Sequence, residues 1–202
     1  MGSSRTRVPK QGRSRQTRES LARAALDLFE RKGYHNTTSR DIAELAGTSV
    51  GSFYVYFEDK RDILLELVDS LKQDSLDRTR HLLLETNDTS AAPRERVSGL
   101  LSSLSMVKEV HPYLWAQAKL LAHFDGDVAE RLSSFAEELS AEIAAVISDW
   151  APRVEVDDAG VAAAVVLQMA GIIDFVNGGD NEAVAAEVKE SLCRYLYPTN
   201  AM

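Results

Sequence analysis

Between Thr37 and Arg61 the sequence TTSRDIAELAGTSVGSFYVYFEDKR gathers side chains suited to reading a polyanion. Arg40 carries a two-pronged donor that matches the acceptor edge of a guanine. Ser52 and Tyr56 offer hydroxyls for phosphate oxygens, and Val50, Gly51 and Tyr54 would form the surface turned to a groove. Thr38, Thr48 and Ser49, at two helix starts and the turn between them, complete this candidate set. Chemistry of other kinds finds little support. Cys193 has no histidine near it in sequence, and His35, His81, His111 and His123 show no paired metal-ligand spacing. Nor is there a phosphate-cradling glycine loop. No catalytic residue, metal or cofactor is therefore expected.

These side chains need a rigid support, and the same stretch encodes one. Thr38 can accept at a helix start and Asp41, three residues on, can answer it, so a helix is expected from Ser39. Ile42, Ala43 and Ala46 form its inward stripe. Gly47 stops it in the left-handed conformation, and Ser49 can cap a second helix carrying Val50 to Tyr56. Phe53 and Phe57 share a face and should pack on Leu28, Phe29 and Ile42. Two helices joined by so short a turn form a helix-turn-helix, whose second helix enters the DNA major groove. A preceding helix is read from about Arg15 to Lys32, closed by Gly33, with Tyr34 folding back into the core.

The stretch resembles the DNA-binding domain of the tetracycline-repressor-like (TetR) transcriptional regulators. Their first helix ends in F-x-x-x-G-Y or similar and precedes T-x-x-x-I-A-x-x-A-G-x-S-x-G-x-x-Y-x-Y-F-x-x-K. Phe29, Gly33, Tyr34, Thr38, Ile42, Ala43, Ala46, Gly47, Ser49, Gly51, Tyr54, Tyr56, Phe57 and Lys60 occupy those positions. The resemblance covers roughly residues 17 to 66. It implies a phosphate contact for Lys60, an all-helical layout, and a dimer built as a four-helix bundle from the last two helices of each subunit. Val50 departs from the pattern, because relatives often carry lysine or another polar residue there, and base reading at that position would be apolar.

Composition agrees with a regulator. The chain has 202 residues, 45% hydrophobic and 27% charged, enough for a core-rich domain and a smaller one. No apolar run approaches a membrane span and no signal-like core follows the basic start, so a cytoplasmic location is expected. The net charge of -8 divides unevenly: residues 1–62 hold 12 basic and 8 acidic side chains, net +4, which leaves net -12 for the remainder. Such asymmetry would orient the molecule on DNA by its N-terminal end. Residues 1–16 read as a basic flexible arm, either a solvated tail or a segment that follows phosphate or enters the minor groove.

The expected architecture is all-α, with a three-helix DNA-binding domain over residues 17–62 and a larger helical ligand-binding and dimerisation domain over 63–202. Asp59 or Asp62 can open a linking helix through Ile63, Leu64, Leu67, Val68 and Leu71. Further helices are read at Val97–Val107, Tyr113–Phe124, Val128–Trp150, from Ala159 to about Val176 behind Asp157 or Asp158, and Ala183–Tyr197. The last two are the dimer candidates, through Val161, Val165, Ile172, Phe175, Val188, Leu192 and Tyr195. Small residues such as Ala162, Ala163 and Ala170 would allow close approach, the alternative being burial within one subunit. An effector pocket is assigned to Met106, His111, Trp115, Phe124, Gln168 and Met169, a mostly apolar lining with a few polar groups. Together these expectations describe a ligand-responsive repressor that binds a palindromic double-stranded DNA operator as a homodimer and is released by a small-molecule effector. A non-specific DNA-coating protein would need basic charge spread beyond residues 1–62, and a helical enzyme would need the chemistry found missing above.

Overall fold

A computed structural model describes the backbone of residues 10–86, 91–106, 111–150, 154–177 and 182–198, and side chains over 14–84, 91–104, 111–150, 154–171 and 183–198. Every regular element among them is a helix: α1 (Lys10–Lys32), α2 (Ser39–Leu45), α3 (Val50–Tyr56), α4 (Lys60–Thr86), α5 (Pro93–Met106), α6 (Pro112–Leu121), α7 (Gly126–Asp149), α8 (Ala159–Asn177) and α9 (Glu182–Leu196). They divide into two compact units, residues 1–71 with 111–129, and residues 72–110 with 130–202.

In the first unit α1 packs on α2, α2 on α3, and α6 on α1. Leu21, Ala25, Phe29, Ile42, Ala43, Phe53, Phe57, Ile63 and Leu64 are buried. Boundaries follow local chemistry. Gly33 ends α1 at φ +83° and Gly47 follows α2 at φ +67°, a region that L side chains enter only at a cost. The linking helix is opened by Asp59, whose Oδ1 accepts from the Arg61 and Asp62 backbone N–H groups at 2.7 and 2.9 Å. Asp62 reciprocates by accepting from the Glu58 N–H at 3.1 Å.

Two expectations about this unit change. α1 begins at Lys10, so Lys10 to Gln16 are helical and not part of a flexible arm, as a run of good helix formers broken only by Gly12 and Ser14 permits. Residues 1–9 lie outside the described residues. The segment 111–129, assigned by sequence to the larger body, packs with the N-terminal unit. Its bonds are specific. His111 precedes α6 at φ +56° and gives no side-chain cap, and Glu30 of α1 supplies one instead, its Oε1 accepting from the Leu114 N–H at 2.9 Å. Gln117 donates to the Phe29 carbonyl at 3.0 Å and accepts from the Tyr34 N–H.

In the second unit α5, α8 and α9 pack on one another around Leu76, Leu100, Leu104, Ile143, Trp150, Val166 and Leu196. Asp158 caps α8, its Oδ1 accepting from the Gly160 and Val161 N–H groups at 2.7 and 3.1 Å. Ala162, Ala163 and Ala170 are buried in this core, as are Leu192 and Cys193. The small residues of α8 therefore let helices of the same chain approach, and Leu192 is a core residue, which corrects its place in an intersubunit surface.

Candidate nucleic-acid interface

The helix-turn-helix is built as its residue types require. Thr38 Oγ1 accepts from the Asp41 N–H at 3.2 Å while Asp41 Oδ2 accepts from the Thr38 N–H at 2.9 Å, a reciprocal capping box. Asp41 also receives the Lys32 ammonium at 2.9 Å, which ties the end of α1 to the start of α2. That ammonium, with the backbone and hydroxyl of Thr38, holds the Asp41 carboxyl down at about 2. The turn closes with the Gly47 N–H donating to the Glu44 carbonyl at 3.1 Å and the Thr48 N–H to the Ala43 carbonyl at 2.9 Å. Ser49 Oγ then accepts from the Ser52 N–H at 3.0 Å and caps α3.

α3 has two unlike faces. Phe53 and Phe57 are buried with ring centroids 5.8 Å apart. On the other side Val50 and Gly51 are exposed, Tyr54 is 58% exposed and Val55 75%. Arg40 is exposed on α2. A Cβ placed on Gly51 would meet nothing closer than Ser49 Oγ at 3.7 Å, an ordinary contact. The fold itself thus has room for a side chain at Gly51. Ser52 is half-buried, its hydroxyl 2.9 Å from that of Ser49, and Tyr56 is half-buried beside Ser14, Arg15 and Arg18.

Sequence reasoning did not single out Val55, and it read these arginines only as part of a basic N-terminal stretch. The signal for Val55 is its place one residue beyond Tyr54, on the helix side away from Phe53. For Arg15 and Arg18 the only hint was their charge, because their place beside α3 depends on how the two helices pack. An open groove of about 550 Å³ also runs between α1 and α4, lined by Arg15, Arg18, Arg23, Glu66 and Leu67 among others. Arg18 bridges it to Glu66 and lies over the Phe57 ring, 5.3 Å from its centroid.

Lys60 does not point outward. Its ammonium donates to the carbonyls of Tyr34 at 2.8 Å, Thr37 at 2.9 Å and His35 at 3.3 Å, and sits 4.4 Å from the centroid of the Tyr34 ring. Burial lowers its pKa from the ordinary lysine value. The phosphate contact implied by resemblance gives way to an internal task, holding the 34–37 turn that connects α1 to α2. Arg61, the next residue, forks onto Asp125 at 2.6 and 2.7 Å and also pairs with Asp127, which clamps the start of α4 to the turn before α7.

The residues assigned to an effector pocket are divided between the two units. His111, Trp115 and Phe124 belong to the first unit, Gln168 and Met169 to the second. Trp115 is buried, whereas Phe124 is 85% exposed. Met169 packs on the core of the second unit, and Gln168 is exposed on α8. The Met106 side chain lies outside the described residues, as do those of Ile172 and Phe175. Periodicity found the helices but could not say which of them share a core.

Comparison with known proteins agrees with this geometry. Residues 21–67 match the family model described as bacterial regulatory proteins, tetR family. The chain carries the N-terminal domain of the TetR family. Among curated relatives, the HTH-type transcriptional repressor KstR2 of Mycobacterium tuberculosis is 35% identical over 124 residues, covering 61% of this chain and 56% of that protein. The chain spans about half the length of the curated relatives it matches. Its fold also resembles that of a candidate TetR-family regulator from Mesorhizobium loti, at TM-score 0.71 and 21% identity over 91% of this chain and 94% of that one. A candidate transcriptional regulator from Saccharomonospora viridis in complex with choline aligns at TM-score 0.64 and 22% identity, over 88% of this chain and 94% of that one. The TetR-type module thus accounts for the capping box, the Gly47 turn and the two-faced α3.

Proposed function

We propose that this TetR-family chain is a ligand-responsive transcriptional repressor that binds a palindromic operator as a homodimer and is released by a small-molecule effector. The observation that carries the reading is α3. Its inner face is locked by Phe53 and Phe57, while Val50, Gly51, Tyr54 and Val55 stand exposed on a short helix, capped by Ser49, of the width that a major groove admits. Arg40 adds a bidentate donor, and Arg15 and Arg18 add charge beside Tyr56 for the backbone.

Two half-sites require two copies. Exposed Val161, Ala164 and Gly171 follow one another at three- and seven-residue intervals along α8, with Tyr195 partly exposed on α9, and this surface supports pairing through the last two helices. Val165 and Val188, packed against the chain's own core, would serve at its margin. Repression is favoured by the KstR2 relatives, which are repressors. A small-molecule effector is consistent with the choline complex of the Saccharomonospora viridis neighbour.

The switch has a reciprocal signature, because an effector that weakens operator binding by some factor must itself be weakened by operator to the same extent. Calorimetry with an effector, carried out with and without operator, should show its affinity reduced on DNA by about 5- to 150-fold. Equal affinity in both titrations would remove the switch from the account.

A further inference from the structure

Arg96 lies inside the second unit, where the pattern of α5 calls for an apolar side chain. It precedes Leu100 and Leu104 by four and eight residues on the same helix row, and it is 2% exposed. A guanidinium keeps its charge at physiological pH and offers five N–H donors. Among the described residues neither its Nε nor its Nη2 meets an acceptor. Its charge faces the Trp150 indole, 5.9 Å from the ring centroid, and Tyr197 stacks on Trp150 at 6.4 Å and 28°. An aromatic face returns part of the hydration a buried cation loses, and the rest calls for an anion.

Among the described residues, Glu95, its neighbour in sequence, and Glu190, which pairs with Arg94, are engaged elsewhere. Glu95 accepts from the Ala92 N–H at 3.1 Å. Glu190 is shared by Arg94 at 3.1 Å and Arg194 at 3.4 Å. We propose that Arg96 receives the carboxylate of an amphipathic organic acid, whose apolar body lies along Trp150 and Tyr197. A planar carboxylate fits the guanidinium fork with two parallel hydrogen bonds, while the aromatic pair and surrounding aliphatic core select against small hydrophilic anions. The inference rests on the ligand-responsive reading above and gives its effector a chemical class, an acid with a hydrocarbon body.

The test uses the full-length chain, thermal melting and operator binding by fluorescence anisotropy, with decanoate, decanol, decyltrimethylammonium and inorganic phosphate as probes. Decanoate should raise the wild-type melting temperature and bind at least tenfold more tightly than decanol, and the cation and phosphate should have no effect. Arg96→Met without any probe should melt at or above the wild-type temperature, since it removes a buried charge whose Nε and Nη2 find no acceptor among the described residues, and should lose the response to decanoate. Arg96→Lys should keep a weakened response.

A melting temperature several degrees below wild type for Arg96→Met, or its failure to fold, would mean that the chain already supplies the counter-ion and would overturn the proposal. Equal binding of decanoate and decanol, or stabilisation by phosphate alone, would also overturn it. The two readings separate on the operator. Decanoate bound through Arg96 without weakening operator binding would sink the switch and leave the site, whereas release by neutral or cationic compounds alone would sink the site and leave the switch.

Discussion

At Gly51 the fold and the proposed partner make opposite demands. Alanine fits there, since the nearest atom to its Cβ is Ser49 Oγ at 3.7 Å, and it would reduce the freedom of the unfolded chain. Gly51→Ala should therefore stabilise the protein by about 0.5–1 kcal/mol while weakening operator binding at least tenfold, or about 1.4 kcal/mol, because the added methyl meets the DNA. Thermal melts and anisotropy titrations read the two effects separately, and unchanged affinity would take the start of α3 off the duplex. Asp41 makes a prediction in pH. Its carboxyl is held at about 2 by the Lys32 ammonium and the Thr38 groups. A depressed carboxylate pKa contributes stability that is fully present above the ordinary value near 4 and is lost as pH falls through about 2. In an NMR titration the Asp41 carboxyl should titrate near 2 in the wild type and move toward about 4 in Lys32→Ala. A Lys32→Ala midpoint that stayed near 2 would remove Lys32 as the main cause.

Among the helices, the connection between α1 and α2 depends on Lys60 of α4, since three carbonyls of residues 34–37 converge on one ammonium. Lys60→Met should lower stability by about 1–3 kcal/mol as those acceptors lose their partner, and should weaken binding to every DNA sequence alike. The salt dependence separates this role from a phosphate contact. A turn-holding lysine leaves the slope of log affinity against log salt unchanged, whereas loss of a phosphate contact would reduce it by about one. α2 and α3 were legible in the sequence because their signals are local: Thr38 with Asp41, Gly47 at positive φ, Ser49, and the Phe53–Phe57 pair. Long-range partners were not. Nothing near Glu30 announces that it caps α6 across 84 residues of chain, nor that Gln117 bonds the end of α1. Residues 111–129 consequently went to the wrong unit. Leu192 failed for a related reason, since an apolar stripe shows that a helix face is covered but not whether its own chain or a second copy covers it. Arg96 did leave a trace, a charge in register with Leu100 and Leu104, visible only once the inward row of α5 is fixed.

For the molecule as a whole, charge and geometry converge on one mode of action. Residues 1–62 are net positive within a chain of net charge -8, and the exposed face of α3 belongs to that basic end. A non-specific polyanion binder would use the charge and leave the α3 face unread; a regulator uses both. A dimer adds a spatial rule, since two copies of α3 related by a twofold axis reach half-sites about 34–36 Å apart, or a multiple of that distance. Selecting duplexes from a random pool with the wild type and with Arg40→Ala shows whether α2 and α3 read a defined base sequence. The wild type should enrich an inverted repeat with half-sites spaced by whole helical turns, and Arg40→Ala should lose preference at one guanine of each half-site, worth about 1–3 kcal/mol. A pool that emerges without an inverted repeat, or identical profiles for the two proteins, would contradict base reading by these helices.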